Sequence, residues 1–141
     1  LLMKRGILNQ MEASRVHDQT GKTTSQCWPT EIRLSSDKRR LNVSFDDGSA
    51  SSITAELLRV ESPSAEVQGH GAGQKTTPAG KRNVTISRID PVGNYAIRIA
   101  FSDGHDTGLF TWELLHDYGQ RHDSLMADYE SRLNDAGQSR G

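Results

Sequence analysis

Five histidines, a single cysteine and one glycine-rich stretch are the parts of this 141-residue sequence whose chemistry could go beyond packing. His70 and His105 each stand next to glycine, in Gly69-His70-Gly71 and Gly104-His105, where a ligand can come close to the backbone. His17 lies near the N-terminus, and His116 and His122 toward the C-terminus. Two histidines are too few for a closed structural zinc site, and Cys27 alone excludes both a cysteine cluster and an internal disulfide. With a carboxylate from Asp103 or Asp106, His70 and His105 match in type the open two-histidine, one-carboxylate site of non-haem iron. The same residues also read as turn chemistry, since an aspartate before glycine bonds its own backbone. Gly69-His70-Gly71-Ala72-Gly73-Gln74-Lys75-Thr76 has the look of a phosphate loop, but Gln74 occupies the place where glycine must precede Lys-Thr, and Thr77-Pro78-Ala79-Gly80 follows instead of a helix. Nucleotide binding is therefore not expected. Ser62 and Ser64 lack the Gly-x-Ser-x-Gly surroundings of a hydrolase elbow.

The elements that must position these residues show in the hydrophobic periods. Ile32 and Leu34, then Leu41, Val43 and Phe45, alternate as strands with one buried face. Asp46-Asp47-Gly48 turns the chain, a weak strand ends at Ile53, and Thr54 is placed to cap a helix over Ala55–Val60. The second half repeats the plan: Val84 and Ile86 begin a strand, and Asp90-Pro91-Val92-Gly93 turns. Tyr95, Ile97, Ile99 and Phe101 then alternate, Ser102-Asp103-Gly104 turns again, and Thr111 caps a helix from Trp112 to about Tyr118, with Gly119 as its stop. Phe45–Leu58 and Phe101–Leu115 thus share one pattern of hairpin, cap and short helix, with one residue more in the second. Duplication and convergence both account for it. Between the halves, Glu61–Arg82 is rich in Ser, Pro, Gly and Thr and reads as a long loop. Leu125, Tyr129 and Leu133, with Met126, make Ser124–Ala136 an amphipathic helix, either docked on its own domain or offered to a second copy or partner. The expected fold is α+β, an antiparallel sheet of hairpins with short helices on one face and a C-terminal amphipathic helix. The expected organisation is a flexible extension over 1–28, a domain over 29–119, and a helix and tail over 120–141.

Composition bounds the function. The net charge is −1, divided as +2 over 1–29, −2 over 30–119 and −1 over 120–141, so no segment is a polyelectrolyte and phosphate-backbone binding to nucleic acid is not expected. Lys38-Arg39-Arg40 beside Asp37 reads as a solvated turn. Lys4 and Arg5 interrupt the apolar start, and nothing later approaches ~20 apolar residues, so neither a secretory signal nor a membrane span is expected. A cytoplasmic setting suits the lone cysteine.

Leu58-Arg59-Val60-Glu61-Ser62-Pro63-Ser64-Ala65-Glu66-Val67-Gln68-Gly69-His70-Gly71, Asp90-Pro91-Val92-Gly93-Asn94-Tyr95-Ala96, and Phe101-Ser102-Asp103-Gly104-His105-Asp106-Thr107-Gly108-Leu109-Phe110-Thr111-Trp112-Glu113-Leu114-Leu115 together resemble a bacterial family of domains of unknown function, DUF971, over about 29–119. That family is similar to the N-terminal domain of gamma-butyrobetaine hydroxylase, an iron- and 2-oxoglutarate-dependent oxygenase, and related domains are appended to iron–sulfur scaffold ATPases. The resemblance implies a domain that sits beside a catalytic barrel, helps build a dimer and a substrate surface, and holds zinc through three cysteines and a histidine. His105 falls on the zinc histidine, while Ser62, Ser64 and Val67 fall on the cysteines and supply no thiolate. Zinc is thus not expected, and iron stays open only through His70, His105 and a carboxylate. The barrel's iron ligands have no counterpart here.

The leading expectation is a non-catalytic binding or accessory module for a protein partner, linked through the resemblance to iron or iron–sulfur metabolism. Its surface would be Arg59–Gly73 with Asp103–Asp106, in which Arg59, Ser62, Ser64, His70, Asp103, His105 and Asp106 carry the chemistry. A metal-binding oxidoreductase component, using His70 and His105 for iron, and a structural homodimer or larger homo-oligomer built on the last helix stand beside it as alternatives.

Overall fold

A computed structural model describes residues 2–4, 28–69 and 75–141. The strands divide into two antiparallel sheets rather than one. The first contains β1 (Leu2–Lys4), β2 (Pro29–Leu34), β3 (Arg40–Phe45) and β4 (Ala50–Thr54) in that order, and the second β5 (Ile86–Val92), β6 (Ala96–Phe101) and β7 (Leu109–Thr111). In β3 the alternating Leu41, Val43 and Phe45 all point inward; Leu41 lies opposite Leu34 and Ile53, and Val43 opposite Ile32. Ile97, Ile99 and Phe101 do the same in β6. Alternation of this kind settles which face of a strand is buried, but not which sheet it joins.

Among the described residues four helices close the core: α1 (Ala55–Val60), α2 (Ala65–Gln68), α3 (Trp112–Gln120) and α4 (His122–Asp135). Thr54 and Thr111 cap α1 and α3 as expected, each hydroxyl accepting the backbone N–H three residues on, from Leu57 and Leu114, at 3.2 Å. α1 is buried along nearly its whole length, including Glu56. The two sheets, α1, α3 and α4 share one hydrophobic cluster in which Trp112, Tyr129 and Phe110 are the largest fully buried side chains.

Four local expectations are corrected. The turn expected at Asp90–Gly93 lies at 93–95, because β5 runs on through Pro91; as an edge strand it has no need of that residue's missing N–H. Tyr95 therefore falls in the turn and is 47% exposed. Gly119 does not stop α3, which continues to Gln120; a Cβ at Gly119 would overlap Ser51 of β4, so glycine serves close helix–strand packing. The described parts of Glu61–Arg82, residues 61–69 and 75–82, are not a loose connection either. They contain α2, Glu61, Ser62, Ser64 and Val67 are buried, and the Tyr118 and Tyr129 hydroxyls donate to the carbonyls of Glu61 and Pro78, each at 2.5 Å. At the N-terminus, Leu2–Lys4 pair with β2, so the extension expected over 1–28 contributes a strand; residues 5–27 lie outside the described part.

The last helix docks on its own domain. Tyr129 and Leu133 are buried against the core, Arg132 pairs with Glu61, and Arg140 grips Glu56 with both ends of its fork at 2.9 and 2.7 Å. Glu56 and Glu61 lie on and just beyond α1 with little solvent, so these two arginines neutralise carboxylates that burial would otherwise penalise.

Candidate functional site

The turn between β6 and β7 sets the site. Gly104 adopts φ +92°, a conformation open to glycine, and the turn closes with Gly104 N–H donating to the Phe101 carbonyl at 3.0 Å and Phe101 N–H to the His105 carbonyl at 2.9 Å. The Asp103 carboxylate accepts the His105 N–H at 3.1 Å. This geometry sends the imidazole inward, leaving His105 7% exposed. Its Nε2 lies 3.0 Å from Ser62 Oγ and 3.2 Å from Ser64 Oγ, and its Nδ1 lies 3.1 Å from a Glu66 carboxylate oxygen. Glu66 also accepts from the Thr107 hydroxyl at 2.8 Å. Burial and the neighbouring Arg59 charge lower the His105 pKa from its usual 6.5, against the opposing pull of Glu66 and Asp103. The network is satisfied by a neutral ring, Nδ1–H donating to Glu66 and Nε2 accepting from a serine hydroxyl.

Asp103 ties this turn to two other segments. Arg59 Nε donates to it at 2.8 Å from α1 and Lys81 Nζ at 2.6 Å from the loop before β5. Burial alone would raise its pKa, but the hydrogen bonds from Lys81, the His105 N–H and Arg59 outweigh that and hold it at about 2. Among the described residues Arg59 Nη1 is buried without a partner.

Of the residues singled out in the sequence, Arg59, Ser62, Ser64, Asp103 and His105 come together. Asp106 is exposed and outside the network, and His70 lies outside the described residues. His116 and His122 go elsewhere, His116 meeting the Phe45 ring edge-on at 5.1 Å and His122 Nε2 lying 3.2 Å from the Thr54 hydroxyl, and His17 lies outside the described residues. Glu66, Lys81 and Thr107 were missed. Glu66 had a signal in Ser64-Ala65-Glu66, where a serine opens a helix and an acidic residue occupies its first turn. The Ser64 hydroxyl makes no cap bond, because His105 takes it.

Two chemical readings can be tested on this geometry. The positions that the resemblance assigns to zinc ligands do converge in part, but they offer two neutral hydroxyls, one imidazole and the buried hydrocarbon of Val67. That donor set does not fit zinc. Among the described residues no group of three or more His, Cys, Asp or Glu could hold a metal. The order Ser62–His105–Glu66 also has the hydroxyl–imidazole–carboxylate sequence of a nucleophilic triad. Ser62, however, is 0% exposed, and the Gly108 backbone lies so close that a Cβ there would overlap the Ser62 hydroxyl. No acyl group can reach it. The cluster is a clasp joining the α2 segment to the β6–β7 turn.

With the clasp and the two hairpin–helix units in view, the comparison with known sequences is decisive. The profile of the family described as gamma-butyrobetaine hydroxylase-like, N-terminal, matches residues 32–116. The chain belongs to this family. A crystal structure of a DUF971-family protein of unknown function from Acidithiobacillus ferrooxidans is 42% identical, with a TM-score of 0.53 over 63% of this chain and 89% of that one. Two proteins solved by NMR in solution are 42% and 43% identical, each with a TM-score of 0.71, covering 82% and 85% of this chain and 91% of their own. Among functionally curated proteins no match is found. Among the described residues no helix is long and apolar enough to cross a membrane.

Proposed function

We propose that this gamma-butyrobetaine hydroxylase-like domain is a non-catalytic accessory module that binds a protein partner through the rim of the clasp. The observation that carries this reading is the sealing of Ser62: the hydroxyl–imidazole–carboxylate constellation found among the described residues is closed to substrate. Glu66, Asp106 and Thr107 remain exposed around it. Exposed polar residues on loops held by a rigid scaffold serve recognition more often than stability. An iron-binding role finds no support in the described residues, where His105 is occupied by Ser62, Ser64 and Glu66.

Affinity capture from the native cell tests the proposal, comparing wild type with a Glu66→Lys, Asp106→Lys double variant and with Glu113→Lys on α3 as a control. The expected result is a protein retained by wild type and the control and lost from the double variant. Capture indifferent to the rim would overturn the binding surface. Hydrolysis of an activated ester that Ser62→Ala abolishes would overturn the non-catalytic reading.

A further inference from the structure

The Lys38-Arg39-Arg40 run, unused by the clasp, contributes to a pocket with more positive charge than the fold consumes. A cavity of about 320 Å³ is lined by Arg39, Arg40, Arg82 and Arg140, against which stand only two carboxylates, Asp37 and Glu56. Both are already engaged. Asp37 accepts from the Ser35 hydroxyl at 2.6 Å and the Arg39 N–H at 3.0 Å, while Glu56 takes both ends of the Arg140 fork. Arg40 Nη1 donates to Ser52 at 3.0 Å and Arg39 Nη1 to Asn83 at 3.4 Å, each spending one of five donors. The Arg82 side chain has no hydrogen bond or ion pair among the described residues. With Glu130, whose carboxylate lies 3.8 Å from Arg140 Nη1 just outside the pocket, four guanidiniums meet three carboxylates and one positive charge remains in surplus.

The backbone fixes this arrangement before any ligand arrives. Lys38, at φ +61°, turns β2 into β3, and the Arg39 carbonyl accepts the Ala55 N–H at 2.7 Å, which anchors the turn to the start of α1. The Arg82 N–H donates to the Arg140 carbonyl at 2.9 Å, joining the loop before β5 to the C-terminal tail. Buried Glu56 then holds the Arg140 guanidinium. We propose that this pocket binds a small phosphate-type dianion, either free phosphate or a phosphomonoester. Guanidinium forks match oxyanions in bidentate geometry. A planar carboxylate satisfies one fork, whereas a tetrahedral phosphate presents oxygens to arginines arriving from three separate stretches of chain.

Backbone amide NMR of the full chain, titrated at pH 7.5 with inorganic phosphate while chloride keeps the ionic strength constant, tests this. The expected result is a saturable shift at Arg39, Arg40, Glu56, Arg82 and Arg140. Exposed Arg82→Ala and Arg39→Ala should each weaken it about tenfold, through loss of charge-assisted hydrogen bonds, with Arg98→Ala on β6 unchanged. Glycerol phosphate binding at least as well as phosphate identifies an ester as the ligand; phosphate binding alone identifies the free ion. Linear, unsaturated shifts, equal weakening by Arg98→Ala, or tighter binding of succinate than of phosphate would each overturn the proposal.

Discussion

The two hairpin–helix units share a skeleton and differ in what they hang on it. In the first, Phe45 N–H donates to the Ser49 carbonyl and Gly48 N–H to the Phe45 carbonyl; in the second, Phe101 and His105, then Gly104 and Phe101, make the same pair of bonds. Gly48 and Gly104 have φ of +88° and +92°. The aspartate before each glycine accepts the N–H two residues on, Asp47 from Ser49 at 2.8 Å and Asp103 from His105 at 3.1 Å. Thr54 and Thr111 cap the helices identically. At equivalent places, however, Ser49 turns back onto its own Asp47 in solvent, whereas His105 reaches inward to α2. Ala55 stands where the second unit has Trp112. Backbone geometry fixes where a residue sits; the side chain placed there decides whether the turn is a surface feature or a junction.

Four experiments press on that contrast. Trp112→Ala opens a cavity at the largest fully buried side chain and also leaves the Asn94 carbonyl without the indole N–H at 3.0 Å; urea denaturation should show a loss of about 3–5 kcal/mol. His105→Ala strands the serine hydroxyls and should cost ~1–3 kcal/mol, whereas Ser49→Ala at the matching position should stay within ~0.5 kcal/mol. Equal costs for these two would erase the distinction between junction and surface turn. Thr111→Ala should cost ~1 kcal/mol as a lost cap, and Thr54→Ala at least as much because His122 also leans on its hydroxyl. A smaller cost at Thr54 would remove His122 from the first unit's supports.

Acid separates the units further. His105 has a folded pKa below 6.5, so its contribution is complete above that pH and declines as pH falls beneath it, because the unfolded chain takes the proton first. Asp103 follows, its contribution lost as pH falls from 3.8 toward about 2. Urea midpoints between pH 7.5 and 5.5 should therefore drop less in His105→Gln than in wild type; parallel drops would mean the ring is not the group responsible.

Much of the fold was legible because its signals are local: the Thr caps, the Asp-Gly turn of each unit and the alternation in β3 and β6 each depend on a few neighbouring residues. The split into two sheets was not, since pairing partners lie far apart in sequence. Glu61–Arg82 reads as a long loop because composition reports polarity, while burial here depends on polar groups satisfying one another, as Ser62, Ser64 and Glu66 do with His105. Asp103 and His105 stood out from their turn; that Arg59 and Lys81 both converge on Asp103 required the folded chain.

The pairing of Arg132 with Glu61 and of Arg140 with Glu56 has a consequence for the order of synthesis. A chain growing from its N-terminus makes both sheets and α1 long before it makes these two arginines. Until then, burying α1 would take Glu56 away from water with no Arg140 to receive it, and Glu61 with only Lys75. The last cations of the core thus leave the ribosome well after the carboxylates they neutralise, and final closure of the domain waits for them.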